Sequence, residues 1–239
     1  MAEFVAIPVR FNGPPESANG GYTCGVVANL VGSEVVQVSL RAPPPLERPL
    51  AVTHHEGGRV ELHDGGAVVA EGEPAELLLD VPDAVSPERA AEVSRAGVEH
   101  WTSAHPFPTC VVCGPERGHG DGYRVFPGEL AEGDGLFAAP WTPHPTLGDG
   151  QGYVRPECVW AALDCPTSAP VANFGEGPPL VLARLTARLG CPVRMNEPHV
   201  LVAWPLAVEG RKRHAASALF DERGVLLCAS RALWIELRE

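Results

Sequence analysis

Two short stretches hold the residues best suited to carbonyl chemistry. The first ends in Asp164, which closes the apolar run Val159-Trp-Ala-Ala-Leu-Asp164. A helix here puts the carboxylate in the last turn, where burial and the negative end of the dipole both disfavour its charge. A raised pKa makes a better base. The plainer role for Asp164 is to accept hydrogen bonds from Thr167 or Ser168 in the turn that follows. The second stretch is Asn19-Gly-Gly-Tyr22. With Asn19 as N-cap, the amides of Gly20, Gly21 and Tyr22 begin a helix and offer donors to an oxyanion, each worth about 3 kcal/mol to a transition state. The plainer role of the glycines is to let the chain turn.

Other candidates compete with these. Gly21-Tyr-Thr-Cys-Gly25 has the outline of a nucleophile elbow around Thr23. That motif needs a buried strand running straight into the turn, and Pro14-Pro15-Glu16 stands there instead. Cys110-Val-Val-Cys113-Gly has the spacing of a zinc knuckle, with His105 and His119 flanking it. No second cysteine pair with that spacing follows, so two packed thiols in a tight turn is the competing reading, and no metal is assigned. Cys158 and Cys165 read as core, because apolar surroundings raise a thiol's pKa and silence it.

The elements that must position these groups follow from pattern. Pro156 suits a first helical turn, Glu157 complements its positive end, and Pro166 cannot extend the ladder, so 156–165 reads as a short helix, apolar on every side and therefore buried. Strand-like runs follow at Leu180–Leu189, Val200–Val208, His214–Phe220 and Val225–Leu237, parted by turn sequences. The first half repeats the order: a strand at Phe4–Phe11, a helix from Asn19 to Gly32, then strands at Glu34–Arg41, Leu50–Glu56, Arg59–His63 and Ala67–Glu71. Gly20, Gly21 and Gly25 cost that helix about 1 kcal/mol each unless something approaches their backbone closely. A connector with a helix at Pro87–His100, opened by Ser86, leads to a strand within Asp134–Pro143. The division expected is 1–75 and 134–239 for the two units, with 76–133 between them.

The totals exclude several classes. At 239 residues and 45% hydrophobic, the chain has enough material for real cores. A net charge of −12, with Lys212 the only lysine, argues against a nucleic-acid partner. No apolar run approaches the roughly 20 residues of a membrane span, and the N-terminus lacks a basic start, so the expectation is a cytoplasmic protein without a membrane partner. Seven scattered cysteines favour reduced thiols.

With Asn19-Gly-Gly21 opening the first helix, Arg41-Ala-Pro-Pro-Pro45 before Pro49-Leu50, and the terminal strand Val225–Leu237, the chain resembles the double-hotdog proteins of the thioesterase-like superfamily. The resemblance implies an α+β fold: two antiparallel sheets, each wrapping a central helix, joined into one. It also implies hydrolysis of an acyl thioester, with acyl-CoA the expected carrier and no cofactor required. In such enzymes a glycine amide at a helix start meets the thioester carbonyl, and a carboxylate on the neighbouring unit's helix is base or nucleophile. Gly20, Gly21 and Tyr22 match the first role by position, Asp164 the second, and Asn19 and Gly20 are also expected to adjoin the substrate. Asn29 stands where Asp164 aligns, and Pro156 where the glycine aligns, which implies one active centre per chain. Arg211 and Arg213, at a hairpin, are candidates for the phosphates of coenzyme A, although such clusters also serve as solvated turns. Hotdog hydratases resemble a pattern with Asp followed five positions later by His, which no aspartate here shows. A non-catalytic hotdog that binds an acyl group or acyl-CoA is the rival, and pairing of the outer faces into a homo-oligomer is open.

Overall fold

The computed structural model describes residues 3–103, 105–131, 134–172 and 177–238. Met1 and Ala2, part of the N-terminal stretch read above, lie outside the described residues. In chain order the elements are β1 (Phe4–Val5), α1 (Gly20–Val31), β2 (Val35–Leu40), β3 (Leu50–His54), β4 (Val60–Asp64), β5 (Ala67–Pro74), α2 (Pro87–Ser103), β6 (Gly128–Glu129), β7 (Phe137–Trp141), α3 (Pro156–Asp164), β8 (Leu180–Leu189), β9 (His199–Glu209), β10 (Lys212–Asp221) and β11 (Leu226–Glu236). The strands form one eleven-stranded sheet in the order β1-β3-β4-β5-β2-β8-β11-β10-β9-β7-β6. The halves meet where β2 pairs antiparallel with β8, Val36 opposite Ala187 and Val38 opposite Leu185. This is the double hotdog.

Most elements lie where patterning puts them. The exception is Phe4–Phe11, of which only Phe4 and Val5 pair, with Ala51 and Leu50 of β3. Pro8 has no N–H to give a ladder, and Val9–Phe11 closes into a single 3-10 turn after it.

On one face of the sheet α1 and α3 lie side by side and antiparallel, and their apolar side chains and those of the sheet make the main core. On the other face α2 covers β6, β7 and β9, where Ala90 and Val93 join a second apolar cluster with Val200, Val202, Trp204, Ala218 and Phe220. That second layer explains why His199–Trp204 is buried on both parities. Docking of α2 is close: a Cβ on Gly128 would fall 1.9 Å from the Val93 carbonyl oxygen. Ser86 caps the helix, accepting from the Arg89 N–H at 3.2 Å. Among the described residues no helix is long and apolar enough to cross a membrane.

Candidate functional site

The start of α1 is built by its cap. Asn19 is extended, and its Oδ1 accepts the Tyr22 N–H at 2.9 Å, while Gly32 at φ 68° closes the far end in the left-handed conformation. Between the caps, two glycines one turn apart face α3. A Cβ on Gly21 would lie 2.3 Å from the Asp164 Cβ, and one on Gly25 2.4 Å from the Glu157 Cα. The propensity they forfeit is exchanged for backbone contact between the central helices of the two halves.

That contact brings Asp164 to the α1 N-terminus. Its Oδ2 accepts the Gly21 N–H at 2.8 Å, while its Oδ1, equally buried, has no partner among the described residues. Thr167 and Ser168 do not serve the carboxylate: their hydroxyls donate to the carbonyls of Asp164 and Cys165. The carbonyl of Leu163 takes the Ser217 hydroxyl from β10 at 2.7 Å, so this helix end is satisfied within the core. Burial pushes the Asp164 pKa up to about 8; the Gly21 amide and the Asn19 side chain oppose the shift and the charge of nearby Cys110 adds to it.

Asp164, Asn19 and Gly20 line a cavity of about 990 Å³, whose walls are completed by apolar groups such as Leu182, Trp234 and Pro44. Gly21 and Tyr22 do not line it. The Tyr22 amide is consumed by the Asn19 cap, and the Tyr22 ring stacks on Phe11 at 4.0 Å. The Tyr22 amide is thus engaged by the cap, and the Gly21 amide by Asp164. The first-turn amide left over is that of Gly20, which no hydrogen bond among the described residues uses. Arg211 and Arg213 also miss the cavity lining. Arg213 pairs with the Glu236 carboxylate and Arg211 donates to the Glu236 carbonyl at 2.8 Å, because the β10–β11 ladder sets them beside it. Among the described residues the arginine on the cavity wall is Arg41, just after β2, held by Glu71 and still half-exposed.

The same wall carries sulfur. Cys110, Cys113 and Cys165 are buried with their Sγ atoms within 4.8 Å of one another, Cys110 to Cys165 at 3.7 Å. Cys165 is buried core, yet it meets two cysteines 55 and 52 residues before it, and spacing alone gave no sign of them. His105 Nε2 lies 3.2 Å from Cys113 Sγ, whereas His119 packs edge-on against His144. Cys158 sits apart, beside Arg155.

No protein-family model matches the sequence, and neither does any curated relative. Solved structures do match its fold. A conserved protein of unknown function with a hotdog fold from Alicyclobacillus acidocaldarius superposes with a TM-score of 0.63 at 12% identity, over 100% of this chain and 93% of that one. An acyl-CoA thioesterase II, TesB2, of Mycobacterium marinum gives 0.58 at 15% identity over 93% and 92%. A tesB protein of Mycobacterium avium subsp. paratuberculosis gives 0.59 at 12% over 92% and 88%. The chain has the double-hotdog fold.

Proposed function

We propose that this chain hydrolyses an acyl thioester, with the acyl group in the 990 Å³ cavity and Asp164 as base or nucleophile. The observation that carries the reading is the meeting of Asp164 with the α1 N-terminus at the cavity wall, one group from each half of the chain. Asp164 keeps one oxygen unpartnered among the described residues, and Gly20, on the same cavity wall, would supply the donor for a carbonyl oxygen that gains charge during attack. Apolar walls suit an acyl chain, and Arg41 on the same wall suits an acidic group of the thiol carrier, such as a phosphate of coenzyme A. Thioesterases among the structures of the same fold support this reading.

One observation favours the rival, a binder of acyl-CoA without turnover. The Asp164 to Gly21 bond joins the two central helices, and a carboxyl used as a strut needs no substrate. Asp164→Asn separates the two, because an asparagine oxygen still accepts the Gly21 N–H while the basic oxygen is lost. A panel of acyl-CoAs assayed with wild type and this variant is expected to show turnover that falls by about 10²-fold or more in the variant. Saturable binding without turnover in the wild type establishes the binder, and an Asp164→Asn variant of full activity removes Asp164 from the chemistry.

A further inference from the structure

We propose that Cys110, Cys113 and Cys165 bind a zinc ion as three thiolates on the cavity wall, with the fourth position of the metal facing the cavity. The inference does not rest on the hydrolysis reading, since metal content is measured without substrate.

Three geometric observations carry it. Two of the sulfurs are at tetrahedral-edge separation, and the third is close: two thiolates each about 2.3 Å from one zinc lie about 3.8 Å apart, Cys110 and Cys165 are at 3.7 Å, and all three sulfurs lie within 4.8 Å of one another. A disulfide would need about 2.0 Å. The Cys110–Cys113 turn is also shaped as a knuckle. The Gly114 N–H returns to the Cys110 carbonyl at 2.9 Å and closes the turn. Gly114 is required for this: a Cβ there would lie 2.4 Å from that carbonyl oxygen and 2.5 Å from the Pro108 carbonyl oxygen. Finally, donors surround the sulfurs as they would surround negative charge. The Asn19 Nδ2 approaches Cys165 at 3.6 Å and Cys110 at 3.8 Å, and His105 Nε2 approaches Cys113 at 3.2 Å.

His105 is a donor to the site and not its fourth ligand. Its Nδ1 accepts the Phe107 N–H at 2.9 Å, which leaves the ring proton on Nε2, directed at Cys113. A nitrogen carrying a proton cannot ligate. The three cysteines and His105 all line the cavity, so the metal's remaining position opens to whatever fills it. Open positions are the mark of reactive rather than purely structural zinc sites. Binding releases the thiol protons to solvent, and no oxidant or reductant is involved.

The test is metal analysis of the full chain purified under reducing conditions, together with titration of metal-free protein by Co(II). One zinc per chain is expected, and Co(II) should give thiolate charge-transfer absorption with the strong visible bands of a tetrahedral site. Cys110→Ser, Cys113→Ser and Cys165→Ser should each lose the metal, while Cys158→Ser, on α3 but outside the cluster, should keep it. His105→Ala should retain the metal with about 10- to 100-fold weaker affinity. Wild-type protein that holds no zinc and gives no Co(II)–thiolate absorption overturns the proposal, whether or not the serine variants fold. So does a folded Cys165→Ser variant that keeps a full equivalent. A Cys110–Cys165 disulfide in freshly purified protein overturns it as well.

Discussion

α1 and α3 run antiparallel, so each helix start meets the other's end, and the two meetings differ. At one, the Gly21 amide faces the Asp164 carboxylate, both buried, beside a large cavity. At the other, the Asn29 side chain donates to the Glu157 carboxylate at 3.1 Å on an exposed surface. The residues explain the contrast. Asn29 cannot serve as a base, and Pro156, at the start of α3, has no N–H to lend to a carbonyl. The flanking chain differs too. The buried end is faced by the His105–Cys113 loop, whose cysteines reach across to Cys165, and its carbonyl at Leu163 is met by Ser217 from the sheet. The open end finishes on a left-handed glycine, Gly32, a cap that needs no neighbour. A fold with two equivalent helix junctions has kept chemical groups at one of them.

Breaking the contact that both ends share has the largest expected effect. Gly25 lies midway, and its absent side chain lets the Glu157 backbone approach. Gly25→Val should destabilise the chain by about 3 kcal/mol or more, because a backbone atom cannot rotate out of the way. Urea unfolding followed by circular dichroism checks this; a midpoint within error of wild type would mean that the helices do not press together here.

The glycines illustrate what was legible in the sequence. Their cost to a helix was visible, and so was the remedy, close backbone approach; the partner was not, since Glu157 and Asp164 are more than 130 positions away in the chain. The two helix caps, the strand sequence and the pairing of Asp164 with the start of α1 all followed from local rules and resemblance. Two sets of expected donors have other partners in the fold, for one reason: donors were counted before asking what holds them. Naming Asn19 as N-cap already spent the Tyr22 amide, since a cap accepts an N–H of the first turn. Arg211 and Arg213 were likewise claimed by Glu236, through a strand register that the turn sequence does not reveal. The sulfur cluster was half visible in Cys110 and Cys113, and Cys165 joined it only through the fold.

At the buried end, Asn19→Ala sharpens the comparison. It removes the acceptor for the Tyr22 N–H and the amide directed at two sulfurs. The loss of the cap should cost about 1 kcal/mol. A thermal melt measures that cost, and metal affinity should fall in the same variant. A stability loss with unchanged metal affinity would confine Asn19 to capping.

The smallest effect is expected where the open end is made to resemble the buried one. Asn29→Asp supplies the missing carboxylate, in a position equivalent to Asp164 by the pairing of the helices. It loses the hydrogen bond to Glu157 and sets an exposed carboxylate beside one that is 13% exposed and already paired with Arg155 at 3.3 Å, so solvent on one side and the guanidinium on the other hold the repulsion to about 1 kcal/mol. Stability at neutral pH should therefore fall only slightly, with most of the loss recovered at high salt, where exposed charges are screened. Acyl-CoA turnover should stay at the wild-type value, since a carboxylate without a facing amide, burial or a cavity has nothing to act on. Denaturation at low and high salt together with the acyl-CoA assay checks both parts. A rise in turnover would mean that the surroundings of Asp164 matter less than its charge, and that the two ends differ by one atom rather than by their construction.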